Sequence, residues 1–203
     1  MVLRIALTIV VAAAAVVLAG PSWAQKTEPA APAAPSAAPP SPSNASAEQG
    51  EAFGADTTLT AKPIVYLKGT GTWDNAFDTI KGSLKKLKTF VDKEGLKADG
   101  MPLTIFTATD DTGFQFEAAI PIAEAPKNAP HGDISAGTSP EGHALKFVHH
   151  GSYDALDNTY EAITNFLDEK RLEAKDMFIE QYVTDPLTTN EDDLVVNIFV
   201  MIK

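Results

Sequence analysis

The sequence predicts an α+β fold built from tandem pseudo-two-fold βαββ repeats, with antiparallel sheets, two main helices and a central groove. Three observations carry that reading. First, Val65-Tyr66-Leu67-Lys68-Gly69-Thr70-Gly71-Thr72-Trp73-Asp74 returns eighty residues later as Phe147-Val148-His149-His150-Gly151-Ser152-Tyr153-Asp154, so that Gly71, Thr72, Trp73 and Asp74 fall on Gly151, Ser152, Tyr153 and Asp154. Second, the same shift superposes Phe114, Phe116, Ala118, Ile120 and Ile122 on Leu194, Val196, Ile198, Val200 and Ile202, an alternation that suits a half-buried strand. Third, between these strands each copy carries one apolar stripe at helical spacing. Duplicated units of this kind create a groove between two related lobes, and such grooves commonly bind ligands.

Taken in chain order, the first element is a targeting signal. Arg4 gives a short positive region, Ile5 to Ala19 is an apolar run, and Ser22-Trp23-Ala24 supplies small residues where signal peptidase cuts. The apolar run is shorter than the ~20 residues a membrane span needs. Residues 1–24 are therefore expected to be removed, placing the mature chain in the periplasm or outside the cell with no stable membrane span. Residues 25–54 are rich in Ala and Pro, including Pro29, Pro32, Pro35, Pro39, Pro40 and Pro42. A segment of that composition cannot bury enough apolar surface to fold and reads as a disordered tether. Residues 55–203 then have the size of one domain, with units at 57–122 and 133–203.

In the first unit, Pro63 to Lys68 reads as a strand and Gly69-Thr70-Gly71 as a turn. Thr72 is placed as helix N-cap, with Asp74 facing the positive end of the helix dipole. Phe77, Ile80, Leu84, Leu87 and Val91 form the buried stripe, and Gly95 is placed as the C-cap. Strands at 103–108 and 114–122 follow, joined by the turn Asp110-Asp111-Thr112-Gly113. A connection over 123–142 carries a short strand at 133–137. The second unit repeats the pattern, with a strand at 144–150, a turn at Gly151 and Ser152 as N-cap. Its helical stripe is Leu156, Tyr160, Ile163 and Leu167, and its later strands lie at 177–184 and 194–202.

Composition excludes several functions. The chain has no cysteine, so there is no disulfide framework, thiol nucleophile or thiolate metal site. A net charge of −11 argues against nucleic acid as a partner and favours cationic ligands. His149 and His150 are adjacent on a strand and point to opposite faces, so no metal site is expected from them. The lysines at 81, 85, 86, 88 and 93 read as the solvated face of the first helix. No cofactor motif is present.

Glu180 stands out. It lies mid-strand in Met177-Phe178-Ile179-Glu180-Gln181-Tyr182-Val183, with the aromatics Phe178 and Tyr182 on its own face by period two. The other repeat has Thr104 at the matching place, so only one lobe carries the carboxylate. A glutamate there is costly to bury without a partner, and burial raises its pKa until a cation arrives. Two readings stay open from pattern alone: a binding-site acid, or an edge-strand glutamate facing water or a basic side chain.

The run from Phe147 to Tyr160, then Phe166-Leu167, then Glu180-Gln181-Tyr182-Val183-Thr184-Asp185-Pro186, resembles the GyrI-like small-molecule-binding family. That family includes the effector-binding domains of AraC-type and MerR-type transcription regulators. The matching motifs are G-x-Y at Gly151 to Tyr153, E-x-Y at Glu180 to Tyr182, and the following D-P. The terminal-strand proline is kept as Pro121 in the first unit and replaced by Met201 in the second. The resemblance implies two tandem βαββ units around a groove, with Glu180 on its floor and Tyr182 nearby. It also implies that Tyr153 and its counterpart Trp73 lie beside the groove at the helix starts. The expected function is binding of a cationic, aromatic or lipophilic small molecule by a non-enzymatic exported protein, with Glu180, Tyr182, Tyr153 and Trp73 as ligand-binding residues. The residues before the domain read as signal and tether and not as a DNA-binding helix-turn-helix. Two alternatives are carried: a hydrolase of electrophilic small molecules using Glu180 as general acid or base, and an envelope protein–protein interaction module.

Overall fold

The computed structural model describes residues 53–203. The expected signal segment lies outside the described residues, as does the tether up to residue 52. The described chain runs β1 (Ala55–Leu59), β2 (Pro63–Thr72), α1 (Ala76–Lys93), β3 (Leu103–Thr109), β4 (Gly113–Pro121), β5 (Ile134–Thr138), β6 (Gly142–His150), α2 (Leu156–Lys170), β7 (Ala174–Tyr182) and β8 (Val195–Ile202). Single 3₁₀ turns at Trp73–Asn75 and Tyr153–Ala155 precede the two helices.

The strands form one sheet in the order β1-β6-β8-β7-β3-β4-β2-β5, antiparallel at every junction. The two repeats, β2-α1-β3-β4 and β6-α2-β7-β8, thus join edge to edge through β3 and β7 into one continuous sheet. The reason lies in β3 and β7 themselves. Both bury apolar residues on both faces, as central strands do, with Leu103 and Ile105 on one side of β3 and Phe106, beside Thr104, on the other. Each outer edge is covered by the strand that precedes the other repeat. β1 leads into β2 yet pairs with β6, and β5 leads into β6 yet pairs with β2. β1 is absent from the sequence reading because Ala55-Asp56-Thr57-Thr58-Leu59 is short and mostly polar.

Both helices cover one face of the sheet. α1 buries Phe77, Ile80, Leu84, Leu87 and Val91, and α2 buries Leu156, Ile163 and Leu167, against alternate residues of all the central strands. The repeated set Phe114 to Ile122 and Leu194 to Ile202 lies entirely in this core, so the eighty-residue echo records a shared packing face. A smaller apolar cluster occupies the other face, around Ile64, Ile105, Ile179 and Phe199.

Two local expectations change and a third holds. Gly69 and Gly71 are not a turn; they extend β2 opposite Phe116 and Phe114. A Cβ on either glycine would come within 2.6 Å of those phenyl rings, so the glycines are there to admit the aromatics. Thr72 and Ser152 flank the 3₁₀ turns but make no side-chain cap to the helix backbone; the Thr72 hydroxyl bonds Asn75 instead. Gly95 does close α1, with φ 63° and Leu96 N–H bonded to the Val91 carbonyl at 3.0 Å. α2 closes the same way through Arg171, a non-glycine residue at φ 55°.

Candidate functional site

Thr104 and Glu180 are matched by the repeat and are also direct cross-strand partners in the β3–β7 ladder. The pseudo-two-fold axis therefore passes between them. On the helix-facing side of that point, one half of the molecule offers a hydroxyl and the other a carboxylate. Glu180 is only 1 % exposed, and period two on β7 puts it between Phe178 and Tyr182 as expected.

The carboxylate is caged by three tyrosine hydroxyls. Tyr182 donates to Oε2 at 2.8 Å, Tyr160 to Oε1 at 2.9 Å, and Tyr153 to Oε2 at 3.1 Å. Because the Tyr182 proton goes to Glu180, Thr104 Oγ1, 3.1 Å away, donates in turn to the Tyr182 oxygen. The threonine thus supports the acid from the opposite repeat. Burial pushes the Glu180 pKa above the usual carboxylate value, and the three phenol hydrogen bonds oppose that rise. Burial and the adjacent carboxylate hold all three phenols well above their ordinary range, so they remain donors at any physiological pH.

The elements that deliver these tyrosines are themselves pinned. Tyr153 heads the 3₁₀ turn before α2, and Tyr160 lies two helical turns on, at i+7, on the same face. His149, buried at the end of β6, bonds the Ser152 carbonyl at 3.0 Å through Nε2 and the Thr159 hydroxyl at 2.8 Å through Nδ1. A carbonyl can only accept, so Nε2 donates, and in the neutral imidazole Nδ1 accepts from the Thr159 hydroxyl. One imidazole therefore fixes the residues immediately before both tyrosines. His150 is exposed and takes no part. Among the described residues no group of histidines and carboxylates has metal-site geometry.

Above the carboxylate lies a pocket of about 630 Å³ between the starts of the two helices and the sheet. Phe77 from α1 stacks on the Tyr153 ring at 4.5 Å and 11°. Trp73 packs on Phe114 at 4.9 Å and donates its indole N–H to the Asp110 carbonyl at 2.8 Å. Phe106 and Phe178 complete the aromatic lining. The rim carries Asp74, Asp78, Asp110, Asp154, Asp157 and Glu191. Lys81 spans Asp78 and Glu191, each at 3.0 Å, and its ammonium stands 4.3 Å over the Phe77 ring.

Of the four residues singled out in the sequence, Glu180, Tyr182 and Tyr153 meet in one hydrogen-bonded cluster. Trp73 lines the same pocket, away from the carboxylate. Tyr182 stands behind Glu180 in the core and is not a wall of the cavity. The sequence reading missed Tyr160 and Phe77, both assigned to core stripes. The available signal was the seven-residue spacing of Tyr153 and Tyr160, which puts two phenols on one helix face.

The family model of the GyrI-like small molecule binding domain matches residues 57–203. The chain belongs to the GyrI-like family. No curated protein matches the sequence. Among solved structures, the EcmrR C-terminal domain is similar with a TM-score of 0.59 at 16% identity, covering 73% of this chain and 96% of that one. EcmrR in its complex with DNA gives 0.64 at 15% identity, and there this chain spans 56% of the EcmrR chain. A hydrolase from Listeria innocua gives 0.56 at 11% identity over 74% of this chain and 92% of that one. SAV2435 bound to tetraphenylphosphonium gives 0.52 at 15% identity, covering 74% and 93%. At these identities the likeness is one of fold. As a GyrI-like domain the protein is a small-molecule binder.

Proposed function

We propose that this GyrI-like domain binds lipophilic or aromatic organic cations in the pocket between its two repeats, and does so as an exported protein. The observation that supports this reading is a fully buried carboxylate held by three phenols beneath an aromatic cavity. A phenol that donates to a carboxylate becomes richer in electrons, which strengthens the attraction of its ring for a cation. Tyr153 and Tyr160 therefore present the charge of Glu180 to the cavity, while Trp73, Phe106 and Phe178 hold an apolar body. Export rests on the signal pattern at residues 1–24.

The same geometry favours binding over catalysis. Both Glu180 oxygens accept hydrogen bonds from tyrosines whose protons are held firmly, and the residue is almost wholly buried. Such an acid is poorly placed to exchange protons with a substrate, which is what the hydrolase reading requires.

Phenyltrimethylammonium and its neutral isostere tert-butylbenzene provide the test by calorimetry. The wild type is expected to bind the cation more tightly. Glu180→Gln is expected to weaken the cation at least tenfold and the neutral compound less than twofold. Equal losses for both, or no loss for either, contradict the role given to Glu180.

A further inference from the structure

The two walls of the pocket differ because the two repeats differ. At the starts of α1 and α2 the repeat offset is eighty residues, so Phe77 and Asp157 hold equivalent places, and both line the pocket. Phe77 is closed on both faces, by the Tyr153 ring and by Lys81. Asp157 is half-buried and has no hydrogen bond or ion pair among the described residues.

The other carboxylates of the lining are accounted for. Asp78 and Glu191 are paired with Lys81. Asp110 is used by its own turn, where Oδ1 accepts from Thr112 N–H and Oγ1 and from Gly113 N–H. Asp74 and Asp154 stand out in water. Among the described residues, Asp157 alone combines partial burial in the cavity with no hydrogen-bond or ion-pair partner, and burial is the main cause that raises its pKa. It also shares a helix face with Tyr153 and Tyr160, at i+4 and i−3. Tyr160 is long enough to reach Glu180 on the sheet, whereas the short aspartate stops within the cavity. With three residues of helical rise and the difference in side-chain length, the two carboxylates lie on the order of 8 Å apart.

We infer that the pocket is selective for dications: one cationic centre rests on the Tyr153–Tyr160 cage over Glu180, and the second pairs with Asp157. The apolar linker between them would lie against Trp73 and Phe106. The inference rests on the cation-binding reading above and adds to it the number and spacing of charges that the site prefers.

Hexane-1,6-bis(trimethylammonium) and hexyltrimethylammonium match the estimated spacing and differ by one charge. In calorimetry at fixed ionic strength, the wild type is expected to prefer the dication at least tenfold. Asp157→Asn is expected to reduce that preference to about twofold while changing the monocation affinity less than twofold. Glu180→Gln is expected to weaken both probes. An unchanged preference in Asp157→Asn, or an equal loss for both probes, overturns the dication inference while the cation site stands. Undiminished binding of both probes in Glu180→Gln, or no binding of either by the wild type, overturns the underlying site as well. A wild-type far-ultraviolet circular dichroism spectrum and a single cooperative melting transition for Asp157→Asn ensure that a lost preference reports the carboxylate.

Discussion

Glu180 is an acid held almost wholly out of water, and its three phenolic donors only partly replace that water. Its pKa is raised in the folded state, so the folded state holds a proton that the unfolded chain releases at ordinary carboxylate pH. Stability from this group is then full below the unfolded pKa and is lost as pH rises through the raised folded value. Asp157 contributes with the same sign. The difference in melting temperature between wild type and Glu180→Gln should therefore move in favour of the variant as pH rises across that window, and then level off. A difference that is flat with pH contradicts the raised pKa. The identity of this acid was legible in the sequence because a glutamate amid apolar strand residues needs an explanation. Its cage was not. Tyr160 fits a helical core stripe as well as it fits a carboxylate, and only the tertiary fold decides which way its hydroxyl points.

At the scale of elements, glycine placement fixes how closely β2 and β4 approach. Gly69 and Gly71 make room for Phe116 and Phe114, and Gly113 brings β4 against the backbone of β2. A Cβ at Gly113 would meet the Gly71 carbonyl oxygen at 2.1 Å, and backbone cannot swing aside as a side chain can. Gly113→Ala is expected to cost at least about 2 kcal/mol, in the range of an overpacked core site, read as a fall in the urea midpoint at constant m-value. An unchanged midpoint would show that the hairpin adjusts freely. The strands and both helices were legible from alternation and from three- and four-residue spacing. The glycines of β2 were misread because Gly-Thr-Gly has the composition of a turn, and the phenyl rings that require it lie more than forty residues away. The short polar β1 gave no periodic signal at all.

For the whole molecule, the repeat was plain in the sequence but its manner of assembly was not. The edge strands exchange between repeats, and β3 pairs with β7 at the pseudo-two-fold axis, so both joints depend on contacts distant in sequence. Neither repeat has a complete sheet alone. An isolated fragment of residues 133–203 loses the β1 cover on β6, the β3 partner of β7 and the Phe77 stack on Tyr153. It is expected to show collapsed amide dispersion in NMR, whereas the intact domain unfolds in one transition; a well-dispersed fragment spectrum would contradict this coupling. The same assembly sets Glu180 at the meeting point of the two halves, beneath the 630 Å³ cavity. A ¹³C NMR titration of the Glu180 side-chain carboxyl, with and without phenyltrimethylammonium, tests that arrangement most directly. The expected result is a midpoint above the ordinary carboxylate range in the free protein that falls when the cation is added. A midpoint within the ordinary range, or one that the cation leaves unmoved, would contradict it.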